Sequence, residues 1–240
     1  MIKDIARKIL SFIGLNIRFS VVPGISIFGI NIHKDPRKGN ADFRGNYALK
    51  YCTNLKINSV LDVGSGGKEH AKTFANNGFD VLCVDYGTSV YAKASTIDGV
   101  KTVYCDFINF KSDTKFDLIW ASHVIEHQKN VGLFVDKIIE LCTDDGYVCI
   151  TIPDPHRHLW GGHLTLWSPG LLAYNIALAG LDISDAIFIR GTLETSIIFQ
   201  LKKAILPDNL TFDSGDIEKI SHLLPSSLNE ESDPWNIKWL

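Results

Sequence analysis

Val60-Leu61-Asp62-Val63-Gly64-Ser65-Gly66-Gly67-Lys68-Glu69 runs from an apolar stretch into a glycine turn and out into a polar, helix-compatible segment. A strand, a glycine turn and a helix in that order let the backbone approach a ligand closely while the helix N-terminus offers free amides. Two familiar versions of this design are excluded. The dinucleotide pattern GxGxxG needs a glycine at 69, where the chain has Glu69, and the phosphate loop GxxxxGK[ST] is absent. What the turn does carry is an acid inside the strand, Asp62, two residues before the first glycine. A carboxylate there repels a pyrophosphate and suits a ligand bearing an ammonium or sulfonium group.

The same logic repeats downstream. Asp85 closes the run FDVLCVD (79–85), 19 residues after Gly66, where an acid receives the two hydroxyls of a ribose lying across the strand tips. Tyr86 follows and offers a ring to adenine or ribose. Cys105-Asp106-Phe107 closes KTVYCDF (101–107), with a carboxylate for an adenine amino group and Phe107 as an apolar wall. Three successive strands thus present an acid at their carboxyl ends, the edge at which open α/β sheets bind ligands.

Around this block, short β-rich runs alternate with helical ones. SVLDVG (59–64), FDVLCVD, KTVYCDF, FDLIWAS (116–122) and GYVCITIP (146–153) are the expected strands, and their near-continuous apolar character is that of strands buried on both faces. Residues 68–77, 88–95 and 131–142 are expected as helices between them, so the fold class is α/β, a doubly wound parallel sheet with helices on both sides. A further helix opens at Ser168-Pro169 and runs to Gly180. AIFIRG (186–191) and TSIIFQLKK (195–203) are joined by three residues, which permits a hairpin and forbids a parallel crossover. The sheet is therefore expected to end in an antiparallel edge. At the N-terminus, Ile2, Ile5, Ala6, Ile9 and Ile13 repeat at helical spacing with Lys3, Asp4, Arg7 and Lys8 opposite. Docking on the chain's own core is the ordinary role of such a helix, and peripheral contact with a membrane surface is a second. Residues 31–46 read as a linker. The expected organisation is residues 1–57 as an N-terminal helix and loop segment, 58–205 as the core, and 206–240 as an acidic surface tail with a short helix near 216–224.

Composition narrows the function classes. A chain of 240 residues is long enough for one sizeable core without disulfide or metal staples. A formal charge of −3 and a pI near 6.2 disfavour nucleic acid as a partner, because phosphate neutralisation needs a basic face. Cys52, Cys83, Cys105, Cys142 and Cys149 are scattered and form no metal spacing, so they read as reduced thiols in the cytoplasm. No apolar window reaches the ~18 residues of a membrane span. Asp4 interrupts the basic N-terminus and no small-residue cleavage site follows, which argues against a signal peptide.

Taken together, VLDVGSGG (60–67), VDYG (84–87), CDF (105–107), FDLIWASHVIEH (116–127), DDGYVCITIP (144–153) and HLTLWSPGLLAYNIALAGL (163–181) resemble the class I S-adenosylmethionine-dependent methyltransferases. The likeness is to the small-molecule group whose fourth strand ends in a phrase like SHVIEH. It covers residues 58–203 and implies a Rossmann-like seven-stranded sheet ordered 3-2-1-4-5-7-6 with strand 7 antiparallel. It also implies S-adenosylmethionine as cofactor, with Asp62, Gly64, Ser65 and Gly66 around its methionine part. Asp85 and Tyr86 would then meet the ribose, and Asp106 and Phe107 the adenine. Ala121, Ser122 and His123 would line the sulfonium region. Lys68 departs from relatives that carry a third glycine there.

The run His123-Val124-Ile125-Glu126-His127 has a rival reading, since HxxEH is also the inverted zincin motif. That reading needs both histidines on a regular helix and a third ligand downstream, whereas His123 is expected at a strand end, so no metal ligands are assigned. Methyl transfer to a hydroxyl requires alignment and removal of a proton. His123, His156, His158 and His163 are candidates for the latter, and His163 is preferred as base or acceptor-orienting group, with His123 second. Trp160 and Trp167 are either stacking platforms for a sugar or loop core, and Arg44 and Tyr47 could close over the cofactor. No DPPY- or NPPY-like motif and no Pro-Cys pair is present, which argues against base methylation. The expected activity is O-methylation of a small molecule or of a sugar in a glycan precursor. The alternatives are an inactive methyltransferase-fold binding protein and a zinc peptidase. The sequence leaves the oligomeric state open.

Overall fold

The structure is a computed structural model that describes residues 15–19, 30–34, 44–90, 92, 97–155 and 161–228. The chain divides into two compact units, Met1–Phe43 and Arg44–Leu240. In the first, two strands, Leu15–Phe19 and Ile30–Lys34, pair antiparallel with Leu15 opposite Lys34 and Phe19 opposite Ile30. Part of the expected linker is thus a strand. The expected helix over residues 2–13 lies outside the described residues.

The second unit is built on a seven-stranded sheet. Its strands are β1 (Ser59–Val63), β2 (Asp80–Asp85), β3 (Val100–Tyr104), β4 (Phe116–Ser122), β5 (Cys142–Pro153), β6 (Ile187–Arg190) and β7 (Glu194–Gln200). They lie in the order β3-β2-β1-β4-β5-β7-β6. β1 to β5 are parallel, and β7 runs antiparallel to both β5 and β6. This is the topology expected above, and the short link between β6 and β7 is the hairpin turn.

Neighbouring residues of the central strands alternate between two apolar layers. Val60, Leu118 and Trp120 face one layer with Ala71 and Phe74 of α2 (Glu69–Asn76). Ala48, Leu49 and Cys52 of α1 (Asn46–Cys52) join that layer. Leu61, Ile119 and Ala121 face the other layer with α3 (Val131–Leu141) and α4 (Pro169–Leu178). Both faces are covered, which is why the central strands read as continuous apolar runs. β3, one of the two edge strands, differs: it alternates mostly exposed and half-buried positions. Ser168 caps α4, accepting from Leu171 N at 3.1 Å, and Gly180 beyond its end takes the left-handed conformation, φ 82°.

Two boundaries differ from the sequence reading. α1 falls inside the span expected as the N-terminal segment, residues 1–57, yet it packs with the sheet, and the compact unit that holds the sheet begins at Arg44. The segment after residue 205 is not only a surface tail. Ile220 at the end of α5 (Asp216–Ile220), with Leu223 and Leu224, is buried in the layer of α3 and α4, and Leu223 O accepts from Ile183 N at 3.0 Å. The i, i+3, i+4 spacing of these three residues inserts one apolar stripe of an otherwise polar segment. No helix is seen in the described part of 88–95.

Candidate active site

The strand order reverses between β1 and β4, and the loops leaving these strands meet there. A Cβ on Gly64 (φ 68°) would stand 2.6 Å from Cγ2 of Val124, which follows β4. The glycine turn is held open from the side by β2. Asp85 accepts from Gly66 N at 2.9 Å and from Gly87 N at 2.7 Å, one bond to each carboxylate oxygen. Gly64 N donates to Val84 O at 2.7 Å. Lys68 begins α2 in the left-handed conformation, φ 64°, and its Nζ lies 3.3 Å from the Tyr104 hydroxyl.

Asp62 is buried beneath this turn, and its Oδ2 has no hydrogen-bond partner among the described residues; the same holds for Oγ of Ser65. Burial, with the nearby Asp85 charge adding to it, pushes the Asp62 carboxyl up to about 8. The sign follows from linkage: the native state binds the proton more tightly than the unfolded chain. This stabilising contribution is complete below pH 3.8 and is lost as pH rises toward 8. Asp62→Asn is therefore expected to raise Tm without added ligand. The gain over wild type should grow between pH 5 and pH 8 in thermal scans, and a gain independent of pH would contradict this assignment.

The third acid serves partly as a cap. Asp106 Oδ1 accepts from Ile108 N at 3.1 Å at the head of the single turn Phe107–Asn109. Phe107 is not an open wall. Its ring is 6% exposed and packs edge-on against Phe134, centroids 5.2 Å apart. Tyr86 is 58% exposed and Tyr104 54% exposed, so both present accessible rings beside the glycine turn. A hydrogen bond to Asp106, after burial, helps raise the Tyr86 phenol.

On the β4 side, Ala121 is fully buried in the core, and Ser122 Oγ donates to Arg44 O at 2.9 Å. His123 is held with φ 57°, and its ring lies between two carboxylates. Nε2 is 2.7 Å from Oε2 of Glu194, and Nδ1 is 3.3 Å from Oε1 of Glu126. These acids outweigh burial and raise the imidazole to about 9. With each ring nitrogen facing a carboxylate, His123 has the arrangement of an orienting group.

Glu194, which sequence reasoning passed over, is the hub. It opens β7, is 1% exposed, and accepts from Arg44 N at 2.7 Å and from Gly45 N as well as from His123. Gly45 (φ 80°) lies on the strand tips, where a Cβ would sit 2.8 Å from Thr151 Oγ1 and 3.3 Å from Ser122 Oγ. Gly45→Ala adds both strain and overlap, so a loss of about 2 kcal/mol is expected. Urea unfolding checks it, and an unchanged midpoint would contradict the close approach.

Glu126, His127 and His163 gather beside this hub. Glu126 is fully buried, and its backbone carbonyl accepts from Leu164 N at 2.8 Å and Thr165 N at 3.1 Å, tying the loop after β5 to the end of β4. His163 Nε2 is 4.0 Å from Glu126 Oε1, and its ring stands edge-on to His127, 5.0 Å between centroids. His156, His158 and Trp160 lie outside the described residues. Trp167 is loop core, 6% exposed, donating to Thr165 Oγ1 at 2.7 Å. On the other side of the sheet, Trp120 Nε1 donates to His70 Nδ1 at 3.1 Å. Burial first of all lowers His70 to about 4, leaving it a neutral acceptor.

A family model described as a methyltransferase domain matches residues 32–176, more than half of the chain. The chain belongs to the class I S-adenosylmethionine-dependent methyltransferases. Among curated methyltransferases, a ubiquinone biosynthesis O-methyltransferase of Rickettsia felis is 33% identical over 97 residues, 38% of this chain and 40% of that protein. An (S)-coclaurine N-methyltransferase of Papaver somniferum is 33% identical over 101 residues, 38% of this chain and 28% of that protein. The match thus spans less than half the length of either relative. A Burkholderia thailandensis 1,6-didemethyltoxoflavin N1-methyltransferase, solved with S-adenosylhomocysteine, shares the fold at TM-score 0.54 and 17% identity, covering 65% of this chain and 76% of that one. An amino pentose methyltransferase of Micromonospora echinaspora, solved with S-adenosylmethionine, does so at TM-score 0.53 and 13% identity, covering 69% and 93%. In this chain His123 lies between Glu194 and Glu126, with Nε2 2.7 Å from Glu194 Oε2, so its ring is engaged by acids rather than paired with His127 as an inverted zincin requires.

Proposed function

We propose that this chain transfers a methyl group from S-adenosylmethionine to a small molecule, at oxygen, with a sugar of a glycan precursor as the acceptor class. One observation carries the cofactor part: a glycine turn at the switch point lies over a buried Asp62 oxygen that lacks a partner, beside the Asp85 carboxylate. Those donors and acceptors suit a cationic nucleoside better than a pyrophosphate. When bound, S-adenosylmethionine supplies an electrophilic methyl group on a sulfonium sulfur. Asp62, Gly64, Ser65 and Gly66 would hold its methionine part, Asp85 and Tyr86 its ribose, and Asp106 its adenine. Phe107 would support that subsite only from beneath, through its packing on Phe134.

Support for oxygen as the acceptor atom comes from the other half of the edge. Hydroxyl methylation needs a group that takes or directs a proton. His163, half-buried in the loop after β5 and placed near Glu126, is suited to it. Exposed Leu164 and Leu166 in that loop offer apolar contact to an acceptor. A cytoplasmic location, with peripheral membrane contact through the N-terminal segment, is part of the same proposal and rests on the sequence pattern alone. No helix among the described residues is long and apolar enough to cross a membrane.

Transfer of labelled methyl from S-adenosylmethionine to cell extract, separated into lipid, glycan, protein and nucleic acid fractions, tests the acceptor. Label in the glycan or lipid-linked glycan fraction is expected. Label confined to protein or nucleic acid would overturn the acceptor class.

A further inference from the structure

Glu126, His127 and His163 each present a ligand atom, and these atoms all lie within 4.8 Å of one another. They come from two segments, the turn after β4 and the loop after β5, which are joined by the two backbone bonds to Glu126 O. An independent feature of the same place is a buried carboxylate that is only partly satisfied. Both carboxylate oxygens of Glu126 are buried and lack an aligned hydrogen-bond donor among the described residues, although His123 Nδ1 is 3.3 Å from one of them. His123 offsets only part of the cost of burying this carboxylate, because its ring is shared with Glu194, which it meets at 2.7 Å. His127 supplies the orientation that a metal-binding imidazole usually has: its Nδ1 is 3.3 Å from Gly162 O. Donation to that carbonyl leaves Nε2 as the lone-pair nitrogen.

We propose that Glu126, His127 and His163 form a binding site for one divalent cation of borderline softness, with zinc as the best match. Two imidazoles and one carboxylate are the ligand set of zinc sites that keep an open position. Ligand atoms around a tetrahedral zinc are ~3.3 Å apart, so the present spacing closes by rotation of the two histidine side chains. His127 is exposed, and the open position therefore faces solvent and accepts an oxygen ligand such as water or a hydroxyl. His123 is not part of the set, because its Nε2 is engaged by Glu194 at 2.7 Å; it braces Glu126 from behind. If the methyl-transfer reading holds, His163 would orient the acceptor through the cation. That clause alone depends on that reading, and cation binding is measured without it.

The test uses the full chain, stripped with chelator and titrated with zinc(II) and, separately, magnesium(II) by calorimetry, with metal content after dialysis read by elemental analysis. One zinc per chain is expected, with magnesium at least ~100-fold weaker. His127→Ala changes an exposed residue and leaves the fold intact by circular dichroism, so it is the decisive variant; it and Glu126→Gln should each weaken zinc at least ~100-fold. Cobalt(II) substitution should give a visible d–d spectrum in the wild type that is lost in His127→Ala. No zinc bound by the wild type, or equal zinc affinity in wild type and His127→Ala, overturns the site. Loss of zinc binding with S-adenosylmethionine binding retained separates it from the cofactor reading.

Discussion

Glu194→Ala should lower the melting temperature by ~10 °C or more, a loss of about 3–5 kcal/mol. One carboxylate, 1% exposed, satisfies the backbone amides of Arg44 and Gly45 together with the His123 ring. Removing it leaves three donors without their acceptor at a largely buried junction. The cost is that of breaking a buried pair from one side, which exceeds what the pair contributes when intact. The loss should also be local first. Because Glu194 ties the start of α1 to the strand tips, hydrogen exchange should quicken at Asn46–Cys52 before the central strands. Glu194→Gln keeps one acceptor oxygen and should recover part of the loss. A Tm for Glu194→Ala within ~2 °C of wild type would contradict the role assigned to this residue.

Asp85→Ala should weaken S-adenosylmethionine by at least ~100-fold while leaving the sheet intact. Its two oxygens shape the glycine turn through Gly66 N and the next loop through Gly87 N, and a hydrogen bond to a charged group is worth about 1.5–3 kcal/mol. Two such bonds, plus any to a ribose, account for the size of the effect. Asp85→Asn keeps the shape with one acceptor and should lose less. Calorimetry on the three proteins checks the order wild type, Asp85→Asn, Asp85→Ala. Equal affinities for wild type and Asp85→Ala would show that the ligand does not use this edge of β2.

Much of this architecture is legible in the sequence because the physics that reveals it is local. The runs around 59–64, 79–85, 116–122 and 146–153 are apolar on both faces because both faces are covered. Ser168-Pro169 and Gly180 mark the limits of α4 through capping and backbone conformation. A three-residue link could only be a hairpin. The misses have a common cause, since they depend on contacts between distant segments. Seven residues of α1 carry too little periodicity to stand out, and they are fixed by Ala48, Leu49 and Cys52 meeting the sheet. Glu194 sits in a short polar turn and looks like a surface residue. Only the antiparallel return of β7 brings it under Gly45 and beside His123. Phe107 follows an acid at a strand end, as a cofactor wall would, yet the turn capped by Asp106 swings its ring onto Phe134. The buried stripe Ile220, Leu223 and Leu224 was hidden by the acidic composition around it. His163 lies 36 residues after His127 in the chain, and the two come together because Leu164 N and Thr165 N bond to Glu126 O.

Direct binding of S-adenosylmethionine to the purified wild-type chain tests the central claim. Isothermal titration should show one saturable site per chain, with S-adenosylhomocysteine competing for it. Absence of binding heat, together with no displacement of labelled S-adenosylmethionine by S-adenosylhomocysteine, would contradict the account.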